Sequence, residues 1–287
     1  GKTEGDAVRA DVTVTMGAPK RGLLQPAALD WVGNLEVADI GIPPELLNEL
    51  DAEIELIASE DLRALLPRRA RDAHKGRYGH VLLIGGARGF AGAVALAAGA
   101  ALRSGAGLVS VLTPACVAPI VAGVVPEAMV HFGKETAIGS LSADALSAWG
   151  RDVNGFDAIL LGPGMVDCPD TRRLAERVLA ECRSPVVMDA DALNVFSGEI
   201  HGLKGGAGPL TITPHPGELG RLLERPAHEV QGDRFKALAD AVDGSEAVTV
   251  LKGAGTLVGS SGRCPHVNMT GNPGMAKGGM GDVLGGM

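Results

Sequence analysis

Short, continuous apolar runs recur along the chain from about residue 79, and each ends at a loop of glycine or polar residues. The runs cover residues 81–84, 108–112, 158–161, 186–188, 210–213 and 248–251. Strands that are apolar along their whole length are buried on both faces, and stretches with helical character, such as 93–102 and 171–182, lie between them. This alternation predicts an α/β fold with a largely parallel central sheet covered by helices on both sides. The 42 glycines and 3% aromatic residues are typical of such a chain.

Polar clusters directly follow several of the predicted strands. The residues in question are Gly162-Pro163-Gly164, Asp189, Asp191, His215 and Lys252. Open α/β sheets bind their ligands at the carboxyl ends of the strands, so we expect these loops to converge on one active site.

The segment from residue 272 to 287 concentrates glycine around one carboxylate. Three glycines occupy the four positions before Asp282, and Val283 and Leu284 follow as the start of a buried helix. Such a turn brings backbone N–H groups close to an anion. Asp282 would then stand beside a bound phosphate, where a carboxylate can act as a general base. The alternative is a glycine-rich cap or linker with a solvated Asp282.

The other polar residues each allow two interpretations. Asp189 and Asp191 could hold a Mg²⁺-bound water or substrate hydroxyls, or could cap the helix that follows. His215 lies between two prolines that would fix its imidazole in the crevice, but a lone histidine can also be packed or solvated. The Lys252 to Thr256 segment could bring amides and a hydroxyl against a nucleotide, or could be an ordinary β-hairpin loop.

Several phosphate-binding motifs are absent from the sequence. Neither GxxxxGK[ST] nor GxGxxG is present, and the catalytic-loop residues of protein kinases are missing.

The net charge of −8 and the lack of long basic runs argue against nucleic acid or an anionic membrane surface as a partner. The longest apolar stretch is shorter than the ~20 residues that span a bilayer. Four dispersed cysteines favour neither zinc nor a disulfide framework, and fit a cytoplasmic compartment.

The first 75 residues follow a different pattern from the rest. Residues 12–16 and 36–43 are predicted strands, and residues 46–57 have roughly helical apolar spacing. Ser59 is predicted to cap a further helix that Pro67 ends. We therefore divide the chain into residues 1–44, the tail of an upstream domain, a helical linker at 45–75, and a main domain at 76–287.

Seven motifs in order make the chain resemble the ADP-dependent NAD(P)H-hydrate dehydratase family. They are His74-Lys75-Gly76, Gly89-Phe90-Ala91-Gly92-Ala93 with Leu102 to Leu108, Gly162-Pro163-Gly164, Asp189 to Leu193, Thr213 to Glu218, Lys252-Gly253 and Gly271 to Asp282. Residues 10–20 and 37–43 are similar to the end of the NAD(P)H-hydrate epimerase domain of bifunctional bacterial versions. The Asp-x-Pro-Ser-Gly segment of that epimerase is not in this sequence, so no epimerase activity is expected.

The resemblance implies a ribokinase-like three-layer α/β/α sandwich and a lyase that repairs NADHX and NADPHX, the hydrated forms of the cofactors. ADP, or ATP in eukaryotic relatives, would be the co-substrate, with Mg²⁺, giving AMP and phosphate. A cytoplasmic homo-oligomer, tetrameric in the family, is also implied. By motif, the hydrate would contact Ala93, Gly164, His215 and the catalytic Asp282. The nucleotide would contact Lys252, Gly253, Ala254, Gly255, Thr256 and Gly281, and the anion hole would comprise Gly279, Met280 and Gly281.

Two departures from the family pattern matter. Many relatives have threonine where this chain has Met280, so the turn of this chain lacks the threonine hydroxyl. The family also continues beyond the position of Met287 with further helices, so a chain truncated at this end is expected. Two other functions stay open: a ribokinase-like kinase acting on a small molecule such as a vitamin precursor, and an inactive nucleotide-binding fragment or oligomeric scaffold.

Overall fold

The computed structural model describes residues 7–50, 52–66 and 68–287. A two-stranded sheet lies near the N-terminus, and a ten-stranded sheet organises the rest. The strands are β1 Val12–Met16, β2 Asn34–Ala38, β3 Glu55–Leu56, β4 His80–Ile84, β5 Leu108–Pro114, β6 Met129–Gly133, β7 Ala158–Leu161, β8 Val186–Met188, β9 Leu210–Ile212, β10 Val248–Leu251, β11 Thr256–Gly259 and β12 His266–Asn268. The helices are α1 Pro26–Val32, α2 Pro44–Asn48, α3 Ser59–Leu65, α4 Ala91–Ser104, α5 Ala118–Val124, α6 Ala145–Trp149, α7 Pro169–Glu181, α8 Asp191–Asn194, α9 Pro216–Leu222, α10 Ala227–Gly232, α11 Arg234–Ser245 and α12 Met280–Gly286.

The large sheet has the strand order β3, β12, β11, β10, β9, β8, β7, β4, β5, β6. Every neighbouring pair from β10 to β6 is parallel. In the middle of the sheet, Val81 of β4 aligns with Ala158 of β7 and with Val109 of β5. Strand β11 is antiparallel to both of its neighbours, β10 and β12. The loops that follow β7, β8, β9 and β10 therefore begin side by side at one edge.

Alternate residues of β4 pack into two separate hydrophobic cores. Leu82 and Ile84 lie in a core with helices α7, α9 and α11, whereas Leu83 lies in a core with α4 and α5. All three side chains are buried. The fully apolar run of β4 thus reflects burial on both faces, and the predicted layered α/β fold is confirmed.

The small sheet pairs β1 and β2 in parallel, with Val12 aligned to Asn34. β1 covers the predicted residues, but the second strand runs from 34 to 38 rather than from 36 to 43. The chain turns after it because the Gly41 amide donates to the Asp39 carboxylate at 2.8 Å and Gly41 has φ +78°. This local side-chain turn competes with a strand and ends it.

The segment at 45–75 contributes a strand to the large sheet as well as helices. The helical spacing predicted for 46–57 is wrong beyond α2, because β3 pairs in parallel with β12 at the sheet edge. The amides of Glu55 and Ile57 donate to the carbonyls of Pro265 and Val267, both at 2.9 Å. Helix α3 begins at Ser59 after Ala58, so Ser59 is its first residue rather than its cap. The predicted helix stop, at position 67, lies outside the described residues.

Helix length can be compared with the thickness of a bilayer. α4, the longest described helix, has 14 residues, fewer than the ~20 needed to cross a bilayer. Within the described ranges, no helix has both the length and the apolar character that a membrane span requires.

Candidate active site

One lysine and two carboxylates meet where β8, β9 and β10 end. Lys252 follows β10, and its Nζ lies 2.6 Å from Oδ1 of Asp189, which follows β8. The same Nζ is 3.5 Å from Oε2 of Glu218 in the first turn of α9. The side chains of Asp189 and Glu218 are only 2% and 7% exposed, and that of Lys252 is 16% exposed. A buried pair of this kind is costly to break, because a remaining charge would have no partner.

The glycine turn before Asp282 lies against this cluster. A Cβ atom built on Gly281 would be 3.5 Å from Lys252 Nζ and 3.8 Å from Asp189 Oδ2. Gly279 has φ +88° and precedes α12, whose first backbone bond runs from the Val283 amide to the Gly279 carbonyl at 3.0 Å. The first amides of a helix have no partner within it and are available to an anion.

The Asp282 carboxyl has a perturbed pKa. Burial raises this pKa above the ordinary aspartate range, the nearby Asp189 and Glu218 carboxylates raise it further, and Lys252 opposes them. A carboxylate with a raised pKa is a stronger base at neutral pH than an ordinary one. Asp282 can therefore accept a proton from a hydroxyl group bound beside it.

His215 is held rigidly at the start of α9. Its Nδ1 accepts the amides of Gly217 at 3.0 Å and Glu218 at 3.3 Å, while the Glu218 carboxylate accepts the His215 amide at 2.7 Å. This reciprocal capping leaves the proton of the neutral ring on Nε2, which lies 3.4 Å from Glu218 Oε1. Partial burial lowers the pKa of the imidazole, with Glu218 raising it and Lys252 lowering it. The imidazole is therefore neutral and half-exposed, with its Nε2–H near the Glu218 carboxylate.

Ala93 and Gly164 lie together where the loop after β7 crosses the start of α4. A Cβ built on Gly164 would be 3.0 Å from Ala93 Cβ and 2.5 Å from the Phe90 carbonyl, and Gly164 has φ +69°. The preceding Gly162 packs against the Asp189 backbone, where a Cβ would come within 1.9 Å of the carbonyl oxygen. The glycines therefore connect the Ala93 region to the Asp189 and Lys252 cluster.

The loop from Lys252 to Gly255 joins the antiparallel strands β10 and β11. It is thus a β-hairpin loop, which is the second of the two interpretations given for this segment. It also carries Lys252, the lysine that pairs with Asp189 and Glu218. Gly253 and Gly255 have φ +137° and +62°. The Thr256 hydroxyl donates to the Gly253 carbonyl at 2.7 Å.

The buried side chain of Arg234 supports this loop. This residue is not among those predicted from the sequence. The side chain is buried at the start of α11, and its guanidinium donates to carbonyls of the loop. The available signal was its register, because Arg234 shares a helix face with the buried Ala237, Leu238 and Ala241. Glu218 is predicted from the sequence only as the last residue of a motif. In the structure its carboxylate lies between His215 Nε2 and Lys252 Nζ.

Asp191 does not join Asp189 in the cluster. Its Oδ1 accepts the side-chain amide of Asn194 at 2.8 Å within α8. The capping alternative is not observed either, since Ala190 occupies the N-cap of α8 without a side-chain cap bond. Among the described residues, no group of three or more His, Cys, Asp or Glu side chains is arranged to hold a metal ion.

Comparison with known proteins gives concordant matches. The family model for NAD(P)H-hydrate dehydratase matches residues 81–287. A bifunctional NAD(P)H-hydrate repair enzyme of Moorella thermoacetica is 42% identical over 287 residues, covering 100% of this chain and 54% of its own length. The enzyme of that description from Coxiella burnetii is also 42% identical, with 100% and 56% covered. This chain spans about half the length of the curated relatives it matches.

A solved structure has the same architecture. The ADP/ATP-dependent NAD(P)H-hydrate dehydratase of Bacillus subtilis, co-crystallised with ATP and Mg²⁺, superposes with a TM-score of 0.70 at 33% identity, covering 81% of this chain and 79% of its own. A ribokinase-like superfamily protein of Enterococcus faecalis superposes with a TM-score of 0.69 at 28% identity, covering 83% and 79%. The predicted ribokinase-like fold and the family resemblance are both confirmed.

Proposed function

Because the chain belongs to the NAD(P)H-hydrate dehydratase family, we propose that it dehydrates NADHX and NADPHX to NADH and NADPH at the expense of ADP or ATP. The observation that carries this proposal is the position of the Asp282 turn against the Lys252 and Asp189 pair. A base with a raised pKa beside a lysine and helix-start amides is suited to phosphoryl transfer from a nucleotide to a hydroxyl group.

In the proposed reaction, Asp282 takes the proton of the hydrate hydroxyl, and that oxygen attacks the terminal phosphorus of the nucleotide. With ADP the leaving group is AMP. Backbone amides at Gly279, Met280 and Gly281 would stabilise the charge on the transferred group. The lone pair of the ring nitrogen then expels phosphate, and loss of the neighbouring proton restores the dihydropyridine. Ala93, Gly164 and His215 would position the hydrate, with the His215 Nε2–H as a donor.

The hairpin loop would bind the nucleotide through Lys252 and the backbone of Gly253, Ala254 and Gly255. Thr256 would contact the nucleotide as well, and its hydroxyl also orders the loop by donating to the Gly253 carbonyl. The Bacillus relative was co-crystallised with ATP and Mg²⁺, which supports an adenine nucleotide here. Gly281 would contact its phosphates.

A magnesium ion that arrives with the nucleotide would meet the carboxylates of the cluster through its bound water, since the described residues form no direct metal site. Asp189, Glu218 and Asp282 surround one lysine, so the ionised cluster carries surplus negative charge. When bound, Mg²⁺ would neutralise charge on the phosphates. Asp189 would accept a hydrogen bond from a water of the ion, and Asp191 would contribute only after releasing Asn194.

The proposal extends to the organisation of the protein. Residues 76–287 would form the dehydratase unit, with residues 1–44 as an epimerase-like tail and 45–75 as the linker that also supplies β3. We further propose a cytoplasmic homo-oligomer acting on small molecules, without nucleic acid or membrane as partners.

Incubation with NADHX and ADP tests the function directly. The 287-residue chain should regenerate the absorbance of NADH and release AMP and phosphate in equal amounts. A phosphate ester that accumulates without NADH would instead support a small-molecule kinase. Absence of both products, with the protein folded, would support the inactive fragment. Asp282→Asn serves as the matched control because it preserves the shape of the site.

A further inference from the structure

A buried guanidinium lies directly beneath the hairpin loop. Arg234 is 1% exposed, and its Nη2 donates to the carbonyls of Leu251 at 3.1 Å and Gly255 at 3.3 Å. Its Nη1 donates to the Lys252 carbonyl at 3.3 Å and to Gln231 Oε1 at 3.1 Å. Three backbone carbonyls at the two ends of the loop are thereby bound to one side chain.

The acceptors of Arg234 are all neutral. It makes no ion pair with a carboxylate in the described part of the chain, and its Nε has no partner there. Burial lowers the pKa of the guanidinium to about 10, so it still carries its charge at neutral pH. An unpaired buried charge is costly and is normally compensated by an opposite charge.

Peptide geometry directs part of the loop away from Arg234. The C=O and N–H of one peptide unit point in opposite directions. Because the Lys252 carbonyl faces the guanidinium, the Gly253 amide faces the other side of the loop. Gly253 is also the residue that a side chain would disturb most directly, since its φ is +137° and a Cβ would lie 3.0 Å from Arg234 Nη1.

We propose that Arg234 is a positioning residue for the nucleotide: it holds the Lys252 to Thr256 loop in its binding conformation, and its charge is compensated by the nucleotide phosphates. This inference rests on the proposed function in that it takes the loop as the nucleotide site. The guanidinium acts through the loop backbone and does not itself touch the reacting atoms. Because the phosphates would compensate its charge, the effect of Arg234 should depend on the charge of the ligand.

The test compares binding of ADP and adenosine, which differ in the phosphates, by calorimetry. Arg234→Gln should weaken ADP binding about tenfold or more, as expected for lost charged hydrogen bonds, and adenosine binding by no more than about twofold. With NADHX, the KM for ADP should rise while kcat at saturating ADP stays within about threefold. Arg225→Gln is the matched control: Arg225 lies between α9 and α10, pairs with Asp240 of α11, and makes no side-chain hydrogen bond to the loop among the described residues.

Unchanged ADP affinity in Arg234→Gln would overturn the proposal, as would equal losses for ADP and adenosine, which indicate a merely structural role. If Arg234→Gln does not fold, Arg234→Lys carries the test. Its retained charge should keep the preference for ADP over adenosine within about threefold of the original, and loss of that preference contradicts the proposal. NADH production by the unmodified chain is measured in parallel, so a protein that binds ADP without dehydrating NADHX refutes the proposed function and leaves the Arg234 test intact.

Discussion

At the scale of single residues, Asp282 concentrates the chemistry of the proposed reaction. Asp282→Asn keeps the size of the side chain but removes its ability to accept a proton. We expect kcat for NADHX dehydration to fall by about 100-fold or more, as for loss of a general base, with the KM for ADP nearly unchanged. Steady-state kinetics on a variant with an unaltered unfolding transition checks this. Retention of most of the activity would assign the base elsewhere.

The neighbours of Asp282 should shift its pKa in opposite directions. Asp189→Asn removes a negative charge, so the pKa of Asp282 should fall, whereas Lys252→Met removes a positive charge and should raise it. A ¹³C NMR titration of the Asp282 carboxyl measures both shifts without requiring activity. The active form is deprotonated, so the rate should decline as the pH falls through this pKa. Shifts of the same sign in the two variants would contradict the described cluster.

The polar residues at the ends of the strands could be predicted from the sequence, but the side chain that supports the hairpin loop could not. Asp189, Lys252 and Asp282 follow a strand or a glycine turn, and that position is visible in the sequence. Arg234 lies on an otherwise apolar helix face, and its role depends on carbonyls brought to it by a distant hairpin. No local pattern encodes such a contact.

At the scale of elements, the crossing of the β7 loop over α4 depends on close backbone approach. Gly164→Ala should lower the free energy of unfolding by about 2 kcal/mol more than Gly89→Ala, because overpacking against the Phe90 carbonyl adds to the strain. Gly89 is the matched control, since it has φ +89° with open space around it, against φ +69° and a 2.5 Å approach at Gly164. Urea denaturation measures both, and equal losses would show that the contact contributes nothing.

Continuous apolar strands were predictable, and edge strands were not. β4, β7, β8 and β10 lie inside the sheet, where burial on both faces produces an unbroken apolar run. β6 and β3 are the two edges of the sheet. Phe132 of β6 is exposed, and β3 has only two residues, so neither produces a distinctive pattern.

At the scale of the whole molecule, the N-terminal region is joined to the main sheet beside the hairpin loop. Leu24 is 4% exposed, and a Cβ built on Gly255 would lie 3.4 Å from its carbonyl oxygen. The Arg21 guanidinium lies 4.6 Å from the centre of the Phe235 ring. The short helical turn Arg21–Leu24 therefore couples the stability of the N-terminal strands to the layer that contains Arg234.

The two tryptophans allow this coupling to be measured. Trp31 lies in α1 and Trp149 in α6, so single-tryptophan variants report separately on the N-terminal region and the main sheet. Leu24→Ala should cost about 3 kcal/mol, as for a buried leucine, and lower the urea midpoint of the Trp31 signal more than that of Trp149. Arg21→Gln, which removes exposed ion pairs to Glu53 and Asp233, should cost less than about 1 kcal/mol. Unchanged midpoints in Leu24→Ala would mean that the turn does not join the two parts, whereas a selective shift of Trp31 identifies Leu24 as the contact between them.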